Sequence, residues 1–119
     1  MVDPIITSDE LEQMRSEVDN VHVDQALLNY IVTLVGMTRD YPDLLLGASP
    51  RASIAVTSIS KAAAYLQGRD YVVPGDITPL FVNTLAHRLV LRPGAENENI
   101  TAEKILSGII KGVQIPRIG

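Results

Sequence analysis

Apolar residues recur with a helical period in five segments of this chain, and short links rich in proline, glycine, aspartate and asparagine separate them. The strongest pattern follows Ser49-Pro50, where Ala52, Ala55, Val56, Ile59, Ala62, Ala63 and Leu66 keep one stripe. Ser49 is placed to cap this helix, Pro50 to take its first position, and Gly68 to terminate it. The alanines imply close approach to a neighbouring helix, so this segment is expected at the centre of the fold. Upstream, Thr7 or Ser8 opens a helix running to about Val18, with Asp9 and Glu10 at its positive end and Leu11 and Met14 as a modest apolar face. Asp24 caps a second helix, whose Leu27, Tyr30, Ile31 and Leu34 share a face and which ends near Thr38. Downstream, Asp76 is expected to cap a fourth helix with Ile77, Leu80, Phe81 and Leu85 inward. Thr101 opens a fifth, with Ala102, Ile105, Leu106, Ile109 and Val113 inward and Glu103 and Lys104 outward. Two short extended pieces, Tyr71–Val73 and Leu89–Leu91, are expected to pair as a small ribbon resting on the helices.

These elements predict a mainly α fold: a small helical bundle with a short two-stranded β ribbon. Residues 7–113 read as one helical domain, 1–6 as a flexible lead that is in part a cloning remnant, and 114–119 as a frayed tail.

Composition narrows the function. Aromatic residues make up only 4% of the 119 positions, with one phenylalanine and no tryptophan, so Leu, Ile, Val and Ala must build the core. Fourteen acidic against ten basic side chains give a net charge of −4, which argues against a nucleic-acid binder, histone-like or otherwise. With no cysteine, a disulfide framework, a thiolate zinc site and a cysteine nucleophile are excluded. His22 and His87 are too far apart in sequence for a short metal motif, and neither sits in a recognisable nucleophile arrangement. No apolar run approaches the ~20 residues that span a bilayer, and no signal-peptide pattern opens the chain, so a cytoplasmic location without membrane insertion is expected. No glycine precedes a lysine, so a phosphate loop is missing, and the chain alone is expected to catalyse nothing.

One segment carries candidate chemistry. Leu44-Leu45-Leu46-Gly47-Ala48-Ser49-Pro50-Arg51 leads an apolar stretch through a glycine turn into the start of the central helix. Free backbone N–H groups and the helix dipole favour an anion there, and a guanidinium adds a forked donor suited to phosphate oxygens. The plain alternative is an exposed surface arginine. A base in the first turn slightly disfavours a helix, so Arg51 calls for a compensating anion.

The segment Leu46-Gly47-Ala48-Ser49-Pro50-Arg51-Ala52, with Gly68-Arg69-Asp70-Tyr71-Val72-Val73-Pro74-Gly75-Asp76-Ile77 downstream, resembles the C-terminal lid of MoxR-type AAA+ ATPases. Val21-His22-Val23-Asp24 through Arg39, and Ala86-His87-Arg88-Leu89, agree with the same family, so the likeness runs from about Pro4 to Val113. It implies that Arg51 is the sensor-2 residue, directed at the γ-phosphate of ATP, with Ser49, Pro50 and Ala52 forming the nucleotide-facing helix start. It further implies an N-terminal nucleotide-binding domain in the same polypeptide, with ATP and Mg²⁺ held only by that whole protein. A ring homo-oligomer, usually a hexamer, chaperone-like remodelling and a von Willebrand factor A-domain partner complete the expectation. The Walker motifs, sensor 1 and the arginine finger have no counterpart in this sequence, which therefore reads as an excised lid. The competing reading is a free-standing helical interaction module without a nucleotide role.

Several residues keep two readings. Arg39 fits either a basic position of the family or charge compensation at a helix C-terminus; Arg88 fits either a C-terminal cap or a subunit contact. Arg69 and Asp70 are expected to pair locally, Tyr71 to pack, and His22 and His87 to lie at the surface.

Overall fold

The computed structural model describes residues 7–117; the lead at 1–6 and the last two tail positions lie outside the described residues. Five helices run in the order α1 (Ser8–Asp19), α2 (Gln25–Arg39), α3 (Arg51–Leu66), α4 (Pro74–Leu85) and α5 (Ala102–Gly112). A ribbon of β1 (Leu44–Leu46) and β2 (Val90–Leu91) and a 3₁₀ turn at Ala95–Glu98 complete the fold. No helix among the described residues is long and apolar enough to cross a membrane.

Capping chemistry sets most of the boundaries. Thr7, Asp24 and Thr101 each accept a backbone N–H in the first turn of α1, α2 and α5, as their side chains predict. Gly68 closes α3 at φ +78°, where its N–H reaches the Tyr65 carbonyl and the Arg69 N–H reaches that of Ala64. This is a Schellman closure, and it requires the left-handed backbone that glycine adopts without strain. Gly68→Ala is therefore expected to cost about 1 kcal/mol through conformational strain alone, since a Cβ there meets nothing within 4 Å. Urea unfolding checks it.

Asp76 does not cap α4. Val73 holds the cap position, Pro74 and Gly75 begin the helix, and Asp76 stands on its first turn with its carboxylate accepting the Val73 N–H at 2.9 Å. Proline suits the first helical position, which moves the start upstream of the expected place.

The ribbon also differs from expectation. Val90 and Leu91 pair antiparallel with Leu44–Leu46, not with Tyr71–Val73. Tyr71 instead forms an isolated parallel bridge to His22. There the His22 N–H donates to the Asp70 carbonyl at 2.8 Å, and the Val72 N–H donates to that of His22 at 2.9 Å. The links that precede α2 and α4 are thus tied together.

Leu27, Ile31, Leu34 and Val35 of α2, Ile77, Phe81 and Leu85 of α4, and Ile105, Leu106 and Ile109 of α5 meet in one core. The buried face of α3 is Ala52, Val56, Ser60 and Ala64, a strict four-residue repeat of small side chains. The expected stripe is rotated: Ile59 is exposed, Leu66 is 76% exposed, and Ala55, Ala62 and Ala63 are half-buried. Small residues on this face let α4 approach closely, and that contact outweighs burial of the larger apolar side chains on neighbouring faces. α1 packs across α3 from outside, with no buried residue; Lys61 donates to the Asp19 carbonyl and the Tyr65 hydroxyl to Glu17.

Candidate functional site

The end of α2, the ribbon and the start of α3 enclose a groove of about 490 Å³. Behind its lining, Thr38 near the end of α2 is fully buried. The Thr38 hydroxyl donates to the Val35 carbonyl at 2.7 Å and accepts the Ala48 N–H at 2.9 Å. Gly47 passes directly over the end of α2: a Cβ there would stand 2.4 Å from the Thr38 carbonyl oxygen and 2.8 Å from the Arg39 Cα. A glycine is required because the backbones touch, and the touch fixes where α3 begins.

α3 starts at Arg51, with Pro50 in the cap position and no side-chain cap. The Ser49 hydroxyl does not cap, against expectation; only the Ser49 carbonyl serves, accepting the Ala52 N–H at 2.9 Å, while Pro50 accepts that of Ser53 at 3.1 Å. Ser49 and Pro50 are exposed on the rim of the groove, and Arg51 is exposed beside them. Ala52 points the other way, into the core, at 1% exposure. The helix thus offers an open N-terminus with an arginine on it, mounted on a buried opposite face. Such an end favours anions chiefly through its dipole, since the Ala52 and Ser53 N–H groups are already paired.

Two residues that the sequence left undecided share this groove. Arg39 directs its Nε across to the Ala48 carbonyl at 3.4 Å, away from the last turn of its own helix. Arg88 lines the opposite side and makes no side-chain hydrogen bond among the described residues, so it does not act as a cap. Nothing in the local sequence pattern joins Arg39 to Arg88; only the folding of β1 against β2 does.

A second polar cluster lies between the end of α3 and the start of α4. Arg69 makes a bidentate pair with Asp76, both N–O distances being 2.7 Å, and also donates to the Tyr71 carbonyl. The expected Arg69–Asp70 pair is absent, because Asp76 on the first turn of α4 presents both oxygens to the guanidinium fork. Arg69 also stacks over Tyr71 at 5.9 Å from the ring centre, and Tyr71 is half exposed in place of the expected packing. The hydrogen bonds from Arg69 hold the Asp76 carboxyl below the usual carboxylate range; burial opposes this and the Val73 N–H adds to it. Both His22 and His87 are exposed and belong to neither cluster.

A family model described as "AAA lid domain" matches residues 37–109. The "Uncharacterized protein YeaC" of Bacillus subtilis is 42% identical over 97% of this chain and 36% of its own length. "Chaperone MoxR1" of Mycobacterium tuberculosis is 31% identical over 96% of this chain and 33% of its own. The crystal structure of a "putative ATPase" from Cytophaga hutchinsonii superposes with a TM-score of 0.86 at 33% identity, covering 92% of this chain and 36% of that one. The chain therefore belongs to the AAA lid family, as the lid of a MoxR-type AAA+ ATPase. It spans about a third of the length of these relatives.

Proposed function

We propose that this lid closes over ATP held by a P-loop domain of the same polypeptide, with Arg51 directed at the γ-phosphate as a sensor-2 residue. The observation that carries the reading is the exposed guanidinium at the uncapped start of α3, a helix whose other face is locked into the core. The groove beside it offers arginine donors and no carboxylate, a set that fits phosphate oxygens and not a magnesium ion. On this reading Mg²⁺ is held by the nucleotide-binding domain. ATP, when bound, would supply a terminal phosphate whose charge leaves the site once water has cleaved it from ADP and the inorganic phosphate departs. Arg51 then loses its charge-assisted partner, and the rigid mount behind it converts that loss into movement of the whole lid. On this reading the full protein is a cytoplasmic ring oligomer that remodels client proteins, with a von Willebrand factor A-domain protein as a candidate partner.

Arg51→Ala in the full-length ATPase is expected to lower turnover at saturating ATP about tenfold, the loss of one charge-assisted contact in the transition state. Because Arg51 is exposed and outside every ion pair among the described residues, the lid should keep its helical content and unfolding midpoint. Unchanged turnover in a correctly assembled oligomer would refute the sensor role.

A further inference from the structure

We propose that Arg39 and Arg88 act with Arg51 as additional cations toward the polyphosphate of the nucleotide, across the groove between the ribbon and the start of α3. The inference rests on the sensor reading of Arg51 and extends it to two residues on other elements.

Two arginines line the groove from separate elements, Arg39 as the last residue of α2 and Arg88 in the turn after α4, and Arg51 opens α3 directly after Pro50 on its rim. Of the other arginines, Arg69 pairs with Asp76 and Arg92 with Asp43 and Glu98, while Arg15 and Arg117 make no ion pair among the described residues. Arg39, Arg51 and Arg88 take part in no ion pair among the described residues, although acids outnumber bases fourteen to ten. Two of them facing one carboxylate-free groove repel each other unless an anion stands between them.

The groove's walls strengthen this. Leu45, Leu46, Ala48 and Pro50 supply apolar surface, which lowers the local dielectric and focuses the field of the flanking guanidinium groups. Arg39 spends only its Nε, on a long contact to the Ala48 carbonyl, so both terminal nitrogens remain for an incoming acceptor. That contact also holds the guanidinium over the groove, reducing the side-chain entropy lost on binding. A cleft of about 490 Å³ is of small-ligand size.

The test uses this chain itself, isotopically labelled, titrated separately with inorganic tripolyphosphate and with ATP while backbone amide and arginine Nε–Hε signals are followed. Because the P-loop domain supplies most of the affinity, both titrants are expected to bind this chain only weakly, at about millimolar concentration, with shifts at Gly47, Ala48 and Arg51 and at the side chains of Arg39 and Arg88. Arg88→Gln and Arg39→Lys are each expected to weaken binding about fivefold, an effect that shrinks with added salt, as for exposed charge contacts. Arg15→Gln, on the distant helix α1, should bind as the parent does. Arg88 is exposed and makes no side-chain hydrogen bond or ion pair among the described residues, so its variant is expected to keep the fold and remains decisive even where Arg39→Lys disturbs the loop. Absence of shifts, binding of tripolyphosphate but not ATP, or undiminished affinity in Arg88→Gln overturns the proposal. If Arg51→Ala slows the full-length ATPase while Arg88→Gln binds ATP normally, the sensor reading stands and this extension falls. If Arg51→Ala leaves turnover intact while Arg88→Gln loses binding, the groove is an anion site and the sensor reading is the part that fails.

Discussion

Replacing Gly47 by alanine is expected to destabilise the lid by about 3 kcal/mol, while the same replacement at Gly36 should stabilise it by about 0.5–1 kcal/mol. A Cβ on Gly47 would lie 2.4, 2.6 and 2.8 Å from the Thr38 carbonyl oxygen, its carbon and the Arg39 Cα. All three are backbone atoms at the end of a helix, so no rotamer change relieves the clash. The loop must lift, and lifting it stretches the bond between the Ala48 N–H and the buried Thr38 hydroxyl. At Gly36, inside α2, an added methyl group would meet nothing within 4 Å, and there alanine only removes backbone freedom from the unfolded chain. Urea unfolding of both variants gives the two signs directly. A Gly47→Ala midpoint within error of the parent would mean that the close approach does not set the start of α3. Amide shifts from Thr38 to Arg51 should move in Gly47→Ala and stay put in Gly36→Ala, which links the packing defect to the placement of Arg51.

That pair of glycines marks the limit of what the sequence discloses. Its local grammar is legible: the caps at Thr7, Asp24 and Thr101, the αL closure at Gly68, and the Leu27–Leu34 face of α2 all stand where side-chain chemistry puts them. The family resemblance is legible as well, because the Gly-Ala-Ser-Pro-Arg segment and the Gly-Arg-Asp-Tyr-Val segment are specific as strings. What a string cannot carry is which elements touch. The apolar run Leu44–Leu46 has no local signal for pairing with Val90–Leu91, and Tyr71–Val73 is as good a partner by composition. The buried face of α3 departs from the apolar stripe for a related reason: apolarity ranks Ile59 and Leu66 above Ser60 and Ala64, but close helix packing selects by size. Arg39 and Arg88 illustrate the same point within the site, since each has a sufficient local explanation until the ribbon brings both to one groove.

Asp76→Asn is expected to cost about 2 kcal/mol at neutral pH and progressively less in acid, because the carboxylate ties the end of α3 to the start of α4. Its oxygens receive two bonds from Arg69, just past the end of α3, and one from the Val73 N–H that opens α4. Breaking a well-buried pair costs more; here Arg69 keeps 25% of its side-chain surface, so solvent recovers part of the loss. The pH dependence follows from the direction of the shift. The folded carboxyl, held down chiefly by Arg69, releases its proton more readily than in the unfolded chain. Its contribution is therefore complete above the unfolded pKa of about 4 and is lost as pH falls through the lower folded value. The parent and Asp76→Asn should differ most at neutral pH and converge as pH falls through the lowered folded value, which urea unfolding at a series of acidic pH values follows. A gap independent of pH would mean that amide and carboxylate serve Arg69 equally and that charge has no part in the clasp. A gap that closes in acid, with Arg51 amide shifts unmoved at neutral pH, would show that the clasp secures the far end of α3 without steering its phosphate-facing start.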